Sequence, residues 1–344
     1  MVLLDSNQKL LLACVGGSVI AYNAVRLAGS LLRSSCDSAE WVPVGTVSQL
    51  LLYPIKSSKP KTVFSFFCDA KGARHGETID RGFVIVDEKS GKFYTQRTHG
   101  CLALLEADVI DGILRMKGPD GVECSVDVRA ILAAKARIIR ATLNQDLQAD
   151  GVDCGDEAAA FVSTFIGEKG ARLLAYADGL FNGRPCVSHP DWWAYNPVPK
   201  RRDTVAYPDL SPYMITTEAS LDDLNSRLDK KTSNVTWRGN IVVDKCAAWD
   251  EDKWLAIRIG DAELECFRPC TRCIMVNVDP ETGVRDESLA TTKGLKTFRL
   301  APEGTKMAEI FMQKPIFGVK AGLVRPGHVH VGQTVWAKYK PSAF

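Results

Sequence analysis

The sequence lacks an excess of charge of either sign. Its 344 residues include 43 lysines and arginines and 41 aspartates and glutamates, so the formal net charge is only +2. Proteins that bind a polyanion concentrate basic residues to neutralise its phosphates. Nucleic acid is therefore not an expected partner. The length and the 46% of hydrophobic residues are those of an ordinary enzyme with one or two domains.

The sequence also lacks the loops that most often bind nucleotides or carry hydrolytic chemistry. It contains no G-x-x-x-x-G-K-[ST], no G-x-G-x-x-G, no G-x-S-x-G and no H-E-x-x-H. These absences exclude the commonest motifs of phosphate-binding proteins, serine hydrolases and zinc proteases. No haem, flavin or nicotinamide motif is visible, and no internal repeat or long low-complexity tract occurs. A redox reaction would therefore need electrons from other proteins.

Cysteine, by contrast, is frequent, and three of the eleven thiols lie close together. The eleven are scattered without the tight framework of a small secreted protein, which indicates a reducing compartment. Cys266, Cys270 and Cys273 have the C-x3-C-x2-C spacing of radical S-adenosylmethionine enzymes, but the chain ends at Phe344, too soon for the large barrel that follows that motif. A zinc site would need a fourth ligand at short spacing, and Cys246, His328 and His330 are distant. Zinc, an iron–sulfur cluster and three buried thiols without a metal stay open as alternatives.

Residues 10–32 form the longest apolar segment. The segment has 23 residues, and Arg26 is its only charge. Because about 20 apolar residues cross a bilayer, Arg26 would have to lie toward the interface. The pattern predicts an N-terminal signal-anchor over residues 1–35, followed by a polar linker over residues 36–43. A cleaved secretory signal, a lipoprotein signal and an amphipathic buried helix are the alternatives.

Apolar alternation predicts that the rest of the chain is mostly β. Strands are expected at residues 47–53, which end at Pro54, and at residues 83–86, 93–96 and 122–128.

Two helices and one turn interrupt this pattern. The first helix is predicted at residues 157–167 with Asp156 as its cap, and the second from Ser220, which would form a capping box with Asp223. Asp279 to Gly283 predict a turn.

The segment from Arg272 to Gly283 reads R-C-I-x-x-x-V-D-P-x-T-G and resembles the molybdenum-ligand segment of the MOSC domain in the mitochondrial amidoxime-reducing component family. Further blocks resemble the same family in the same order: residues 47–63, 77–97, 211–228, 237–243, 259–265 and 329–337. The resemblance covers nearly everything from Val44 to Ala337. It implies an α+β, mostly β fold, in which a MOSC N-terminal β domain (residues 44–175) and a MOSC β-barrel domain (residues 176–344) carry a few packing helices behind one membrane anchor helix.

The resemblance also implies a molybdenum cofactor, Mo-molybdopterin, with Cys273 as its thiolate ligand and with Cys266 and Cys270 in packing roles. Such a cofactor needs guanidinium, amide and hydroxyl groups from several loops. The positions that match the family's cofactor contacts are Lys56, Ser57, Arg81, Ser211, Arg238, Asn240, Thr271 and Arg272. Leu210 departs from the family, whose members carry a hydroxyl residue there. Asp209 is the candidate proton donor to the departing oxygen, with a turn-forming role as its alternative.

The activity implied by the resemblance is the molybdenum-dependent reduction of N-hydroxylated compounds (amidoximes, hydroxylamines and N-oxides) to amines or amidines. Electrons would come from cytochrome b5 and NADH-cytochrome b5 reductase, at the mitochondrial outer membrane, with the catalytic domain facing the cytosol. A shared membrane surface raises the effective concentration of donor and acceptor.

Two alternatives of other classes remain. One is a sulfur carrier like the MOSC part of molybdenum cofactor sulfurases, although the chain lacks their pyridoxal-phosphate portion. The other is a cofactor-binding or storage protein without turnover. Residues 189–195, HPDWWAY, are either a rim of the substrate pocket or packing aromatics.

Overall fold

The computed structural model describes residues 40–134, 136–143, 147–179, 184–187 and 199–341. The predicted anchor, most of the predicted linker and residues 189–195 lie outside these ranges. Among the described residues, no helix is both long and apolar enough to cross a membrane. The chain divides into a first unit, Met1–Trp41, of which only Glu40 and Trp41 are described, and a second, Val42–Phe344.

Most of the regular structure is β. The strands are β1 (Val42–Leu52), β2 (Lys61–Val63), β3 (Ser65–Asp69), β4 (Gly72–His75), β5 (Thr78–Ile79), β6 (Phe83–Asp87), β7 (Glu106–Ile110), β8 (Ile113–Lys117), β9 (Glu123–Asp127), β10 (Ile138–Ile139), β11 (Thr142–Leu143), β12 (Leu147–Gln148), β13 (Gly151–Asp153), β14 (Ala171–Ala175), β15 (Arg184–Val187), β16 (Arg202–Val205), β17 (Tyr213–Thr217), β18 (Ile241–Asp244), β19 (Trp254–Ile259), β20 (Ala262–Thr271), β21 (Ile316–Arg325), β22 (Gly327–His330) and β23 (Thr334–Tyr339).

The helices are short. They are α1 (Val128–Ala133), α2 (Asp156–Ile166), α3 (Glu218–Asn225), α4 (Asn234–Trp237), α5 (Ala290–Lys296) and α6 (Lys306–Phe311), with 3₁₀ helices at Gly100–Leu104, Asp250–Lys253 and Ile274–Asn277. The prediction of a mostly β fold with a few helices is confirmed.

Seven strands form a closed barrel. They follow one another in the order β1, β18, β17, β21, β20, β19 and β23, and β23 pairs with β1 to close the ring. All neighbours are antiparallel except β17 and β18, which are parallel. Closure leaves no unpaired edge among these strands. The short β2 adds to the ring by pairing with β1.

Alternate residues of the barrel strands fill its interior. Leu50 and Leu52 of β1, Ile257 of β19 and Val335 of β23 belong to one buried cluster. Cys266 is part of the same cluster, and its burial raises the pKa of the thiol to about 12. A thiol that keeps its proton is a poor metal ligand. Cys266 therefore acts as a small apolar residue of the barrel core, the packing role expected for it.

Smaller sheets surround the barrel. Strands β6, β14, β13 and β10 form a four-stranded sheet, against which α2 packs with Ala158, Val162 and Ile166, and β7, β8 and β9 form a three-stranded sheet. A second four-stranded sheet joins β22 to β3, β4 and β5. The two portions of the chain on either side of residue 175 thus share strands, because β1 completes the barrel and β22 pairs with β3. The domain boundary at residue 175 stays a prediction.

Both predicted helix starts need correction. Helix α2 is capped by Gly155 at φ 91°, and Asp156 lies in its first turn. The carboxylate of Asp156 instead pairs with Arg172 at 2.7 Å. Helix α3 begins at Glu218, earlier than predicted, because the hydroxyl of Thr217 accepts the bond from the Ser220 amide.

Two predicted strands also need correction. Of residues 93–96, only Phe93 pairs, in an isolated bridge to Val86. Strand β9 ends at Asp127 because the carboxylate of that residue caps α1.

Two carboxyl groups are buried beside α3. Glu251 is fully buried and accepts a hydrogen bond from the Ser220 hydroxyl at 2.9 Å, and Asp252 pairs with Arg299 at 2.6 Å. Burial, followed by the charge of Asp252, raises the pKa of Glu251 from 4.5 to about 7. A carboxyl group with a raised pKa contributes stability that is complete below its unfolded pKa and is lost as the pH rises through its folded pKa.

Between about pH 5 and pH 8 the parent should lose stability as Glu251 ionises in the folded state. We expect Glu251→Gln, which cannot ionise, to lose less stability over this range. The difference in unfolding free energy between the variant and the parent should shift in favour of the variant by about 2 kcal/mol over this window. Urea denaturation at both pH values measures it. Asp222→Asn, an exposed change on α3, is the control. An unchanged pH dependence in Glu251→Gln would contradict the raised pKa.

Candidate functional site

Loops at the ends of barrel and sheet strands carry the predicted cofactor contacts. Lys56 and Ser57 follow β1, and Arg81 lies between β5 and β6. Ser211 precedes β17, and Arg238 and Asn240 lie between α4 and β18. Thr271 ends β20, and Arg272 and Cys273 connect it to the 3₁₀ helix Ile274–Asn277. Contacts between side chains bring several of these loops together.

Two arginines share one aromatic ring. The guanidinium carbon of Arg81 lies 4.5 Å from the ring centre of Tyr53, and that of Arg238 lies 4.2 Å from it. Arg81 Nη2 donates to the Arg238 carbonyl at 3.1 Å, and Arg238 Nη1 donates to the Ser58 carbonyl at 2.9 Å. Asp80 pairs with Arg81 and is the one carboxylate that contacts this pair among the described residues. Burial, together with the nearby charge of Arg81, lowers the pKa of Arg238 to about 10. The local charge is therefore positive and favours an anion.

Three buried polar atoms at this site have no hydrogen-bond partner among the described residues. They are Arg238 Nη2, Arg272 Nε and the hydroxyl oxygen of Tyr53. A buried donor without a partner costs about 1–3 kcal/mol, and more when it is charged. Native proteins rarely keep such groups unless a ligand or water satisfies them. The two arginine atoms are donors, so the missing partner is an acceptor, as an anionic or acceptor-rich ligand would provide.

The backbone at this site is strained at three of the predicted contacts. Ser57, Arg81 and Arg238 adopt φ of 71°, 51° and 56°. A non-glycine residue in this left-handed region costs about 1–3 kcal/mol. Strain of this kind concentrates at ligand-binding sites, where the surrounding contacts enforce it. The strain fits a binding site at these three loops but is not confined to it, since six other non-glycine residues among those described also have positive φ.

Cys273 lies beside a network of two cations and one carboxylate. Arg97 Nε donates to Cys273 Sγ at 3.3 Å, and Arg97 Nη2 donates to Asp209 Oδ2 at 3.3 Å. Lys56 Nζ donates to Asp209 Oδ1 at 2.5 Å and to the Tyr207 carbonyl at 2.8 Å. Burial would raise the pKa of Asp209, but the charges of Lys56 and Arg97 outweigh it and hold this pKa far below its usual range. The two ion contacts fit an anchoring role for Asp209, and its role as a proton donor stays a prediction.

Arg272 contacts two sulfur atoms next to the thiol loop. Its Nη1 lies 3.1 Å from both Cys270 Sγ and Met214 Sδ, and its Nη2 donates to the Trp237 carbonyl at 2.8 Å. Cys270 is 4% exposed and packs against Met214, with 3.6 Å between the sulfurs. Within the ranges that the structure describes, no three His, Cys, Asp or Glu side chains come close enough to hold a metal ion. Cys266, Cys270 and Cys273 therefore form no three-thiol cluster.

The other three predicted contacts do not have an unpartnered buried atom that would point to a ligand. The Asn240 side chain accepts from the Met214 amide at 3.2 Å and donates to the Leu51 carbonyl at 3.3 Å. The Ser211 hydroxyl donates to the Tyr213 carbonyl at 2.8 Å. Thr271 is half-buried at the end of β20, where it pairs with Ile316. Their roles as cofactor contacts stay predictions, as do those of the other site residues.

Sequence reasoning missed three residues of this site: Tyr53, Arg97 and Lys320. Lys320 is 7% exposed on β21, and burial is the main cause that lowers its pKa, with the charges of Arg268 and Arg272 acting in the same direction. Arg97 closes the alternating segment 93–96, so a charged residue at the end of a predicted strand was the available signal. Tyr53 and Lys320 carried no signal, because their roles depend on strands distant in sequence.

Comparison with known proteins extends these observations. Residues 44–169 match the MOSC N-terminal beta barrel domain, and residues 202–336 match the MOSC domain. The chain is similar to mitochondrial amidoxime-reducing component 1 of Mus musculus, with 35% identity over 295 residues that cover 85% of this chain and 82% of the relative. Mitochondrial amidoxime reducing component 2 of Bos taurus is 36% identical over 85% of this chain and 83% of its own length. Mitochondrial amidoxime-reducing component 1 of Danio rerio is 34% identical over 96% of this chain and 95% of its own length.

Proposed function

Because this chain belongs to the family of mitochondrial amidoxime-reducing components, as its resemblance to that family predicted, we propose that it is a molybdenum-cofactor enzyme that reduces N-hydroxylated compounds to amines or amidines. Amidoximes, hydroxylamines and N-oxides are the proposed substrates. The observation that carries the proposal is the pair of buried, unpartnered guanidinium donors of Arg238 and Arg272, of which Arg272 directly precedes Cys273 in the chain.

The residues present fit such a cofactor. Its phosphate and its acceptor-rich heterocycle suit forked guanidinium donors, and Arg81, Arg238 and Arg272 provide them from three loops. Cys273 is the proposed metal ligand, since a soft thiolate holds molybdenum while leaving other positions open. When bound, the cofactor supplies the two-electron reduction that removes oxygen from the substrate.

The protein side chains would orient and shield the reaction. Arg97 donates hydrogen bonds to the partly exposed Cys273 and to Asp209. The buried Lys56 donates to the other oxygen of Asp209 and so fixes its position. We propose that Asp209 keeps its negative charge through turnover and fixes the direction of both cations. The proton that the leaving oxygen needs then comes from another group or from water.

Electron supply and location are part of the proposal. The sequence carries no recognisable haem, flavin or nicotinamide motif, so separate proteins must supply electrons, and we propose cytochrome b5 and its NADH-dependent reductase. The names of the relatives include the word mitochondrial. Together with the apolar residues 10–32, this supports an anchor in the mitochondrial outer membrane with the enzyme facing the cytosol.

The test is metal analysis and turnover of the purified full-length chain. We expect near-stoichiometric molybdenum, and NADH-dependent reduction of an amidoxime once cytochrome b5 and its reductase are added. Omission of cytochrome b5 is the control and should remove the rate. Molybdenum without turnover would indicate a storage protein, and release of sulfur to a cofactor acceptor would indicate a sulfur carrier. Zinc or iron in place of molybdenum would overturn the proposal altogether.

A further inference from the structure

We propose that Arg97 is a positioning residue that holds the sulfur of Cys273 and raises the reduction potential of the metal bound there. The inference rests on the proposed function, because it assumes that Cys273 binds a redox-active metal. It adds a residue that the predicted contacts do not include.

Two nitrogens of the Arg97 guanidinium donate to two different acceptors. Its Nε reaches Cys273 Sγ at 3.3 Å, and its Nη2 reaches Asp209 Oδ2 at 3.3 Å. A planar guanidinium donates in two fixed directions at once, whereas a lysine ammonium is a single point charge. The carboxylate therefore fixes the direction in which Arg97 points at the sulfur. Lys56, 2.5 Å from the other oxygen, keeps Asp209 in place.

The backbone that carries Arg97 is held from both sides. The carbonyl of Arg97 accepts from Arg285 Nη1 at 3.0 Å, and the neighbouring Gln96 donates to the Ser57 carbonyl at 2.8 Å. Gly100 packs so closely on Gly283 that a Cβ atom at Gly100 would lie 2.1 Å from the Gly283 carbonyl oxygen. The loop of Arg97 is thus fixed to the loop after β1 and to the turn that follows Cys273. These contacts fix the position of the Arg97 backbone relative to the site.

A hydrogen bond to a metal-bound thiolate changes the electronics of the metal. The donor withdraws electron density from the sulfur and favours the more electron-rich, reduced state. Arg97 is only about one quarter exposed, so solvent weakens this effect little. Loss of the bond should therefore make the metal harder to reduce.

The experiment compares the full-length parent with Arg97→Gln, Arg97→Lys and Asp209→Asn by metal analysis and by redox titration followed by electron paramagnetic resonance. Arg115→Gln, an exposed arginine on β8, is the matched control for the lost charge. We expect the midpoint potential in Arg97→Gln to become more negative by about 59 mV, a tenfold change in the equilibrium constant of a one-electron couple. Its kcat should fall about 10–100-fold, as it does when other residues that hydrogen-bond a metal ligand are replaced, and KM should change little. The midpoint potentials and kcat values of Arg97→Lys and Asp209→Asn should lie between those of the parent and those of Arg97→Gln.

The outcomes separate the two proposals. An unchanged potential in an Arg97→Gln variant that binds metal and melts like the parent would overturn the role of Arg97 and leave the proposed function intact. A parent chain without molybdenum would overturn both. If Arg97→Gln cannot hold metal but Arg97→Lys can, at a potential below that of the parent, the positioning role is supported.

Discussion

Cys273→Ala is expected to abolish both the molybdenum content and the reduction of amidoximes. We expect the rate to fall by at least about a thousandfold, because removal of a residue that the whole catalytic unit depends on disables that unit. When both chains are compared without cofactor, stability should differ by less than about 0.5 kcal/mol, since Cys273 is partly exposed and its side chain makes no capping hydrogen bond. Elemental analysis, the coupled NADH assay and thermal denaturation on one preparation measure all three.

Other thiols of the chain provide the controls for this experiment. Cys246 is partly buried against the barrel core, and Cys270 is buried beside Met214. Alanine at either position should leave most of the metal in place. Retention of molybdenum in Cys273→Ala, or its loss only in Cys270→Ala, would place the ligand elsewhere and refute the assignment.

Arg238→Lys is expected to reduce cofactor retention by about 10–100-fold, although the charge is kept. A hydrogen bond to a charged group contributes about 1.5–3 kcal/mol, and lysine cannot donate to the Ser58 carbonyl and to a ligand with the geometry of the arginine fork. The change should appear as faster loss of molybdenum and of pterin fluorescence during dialysis, with little effect on kcat per bound metal.

Arg227→Lys is a matched control for this change. Its guanidinium lies 4.3 Å from the ring centre of Phe298, much as that of Arg238 lies over Tyr53, but its side chain is 49% exposed. This variant should retain the cofactor like the parent. Equal retention in Arg238→Lys and the parent would show that the unpartnered Nη2 of Arg238 does not face the ligand.

The sequence predicted which segments form strands better than it predicted how those strands pair. Short apolar runs placed β6 nearly correctly and the end of β1 to within one residue, because apolar content and a break at proline are local signals. Closure of the barrel by β1 and β23 could not be read in this way, since pairing of residues so distant in sequence leaves no local pattern. The start of α3 was missed for a similar reason: Thr217 and Ser220 both suit a cap, both hydroxyls contact the distant Glu251, and it is Thr217 that accepts the backbone amide of Ser220.

Residues of the site that lie in local motifs were also predicted better than those that depend on contacts between distant loops. Cys273 lies in a distinctive segment, and the basic residues beside strand ends gave a list that includes Arg81, Arg238 and Arg272. Arg97 was missed although its segment resembles the family, because its importance lies in reaching Cys273 and Asp209 across the fold. Such a contact arises only when distant loops meet.

The closure of the barrel by its first and last strands has a consequence for biosynthesis. Strand β1 pairs with β23, and Val42 lies opposite Ala337, near the end of the chain. During translation the last residues of β1 can pair with the nearby β2, but the rest of the strand stays unpaired until β18 and β23 have left the ribosome. Chains dominated by such distant pairings fold slowly and are prone to aggregate meanwhile. Newly made chains should therefore be prone to aggregate until β23 has left the ribosome, and the loop after β1 should reach the loops that face it only from then on.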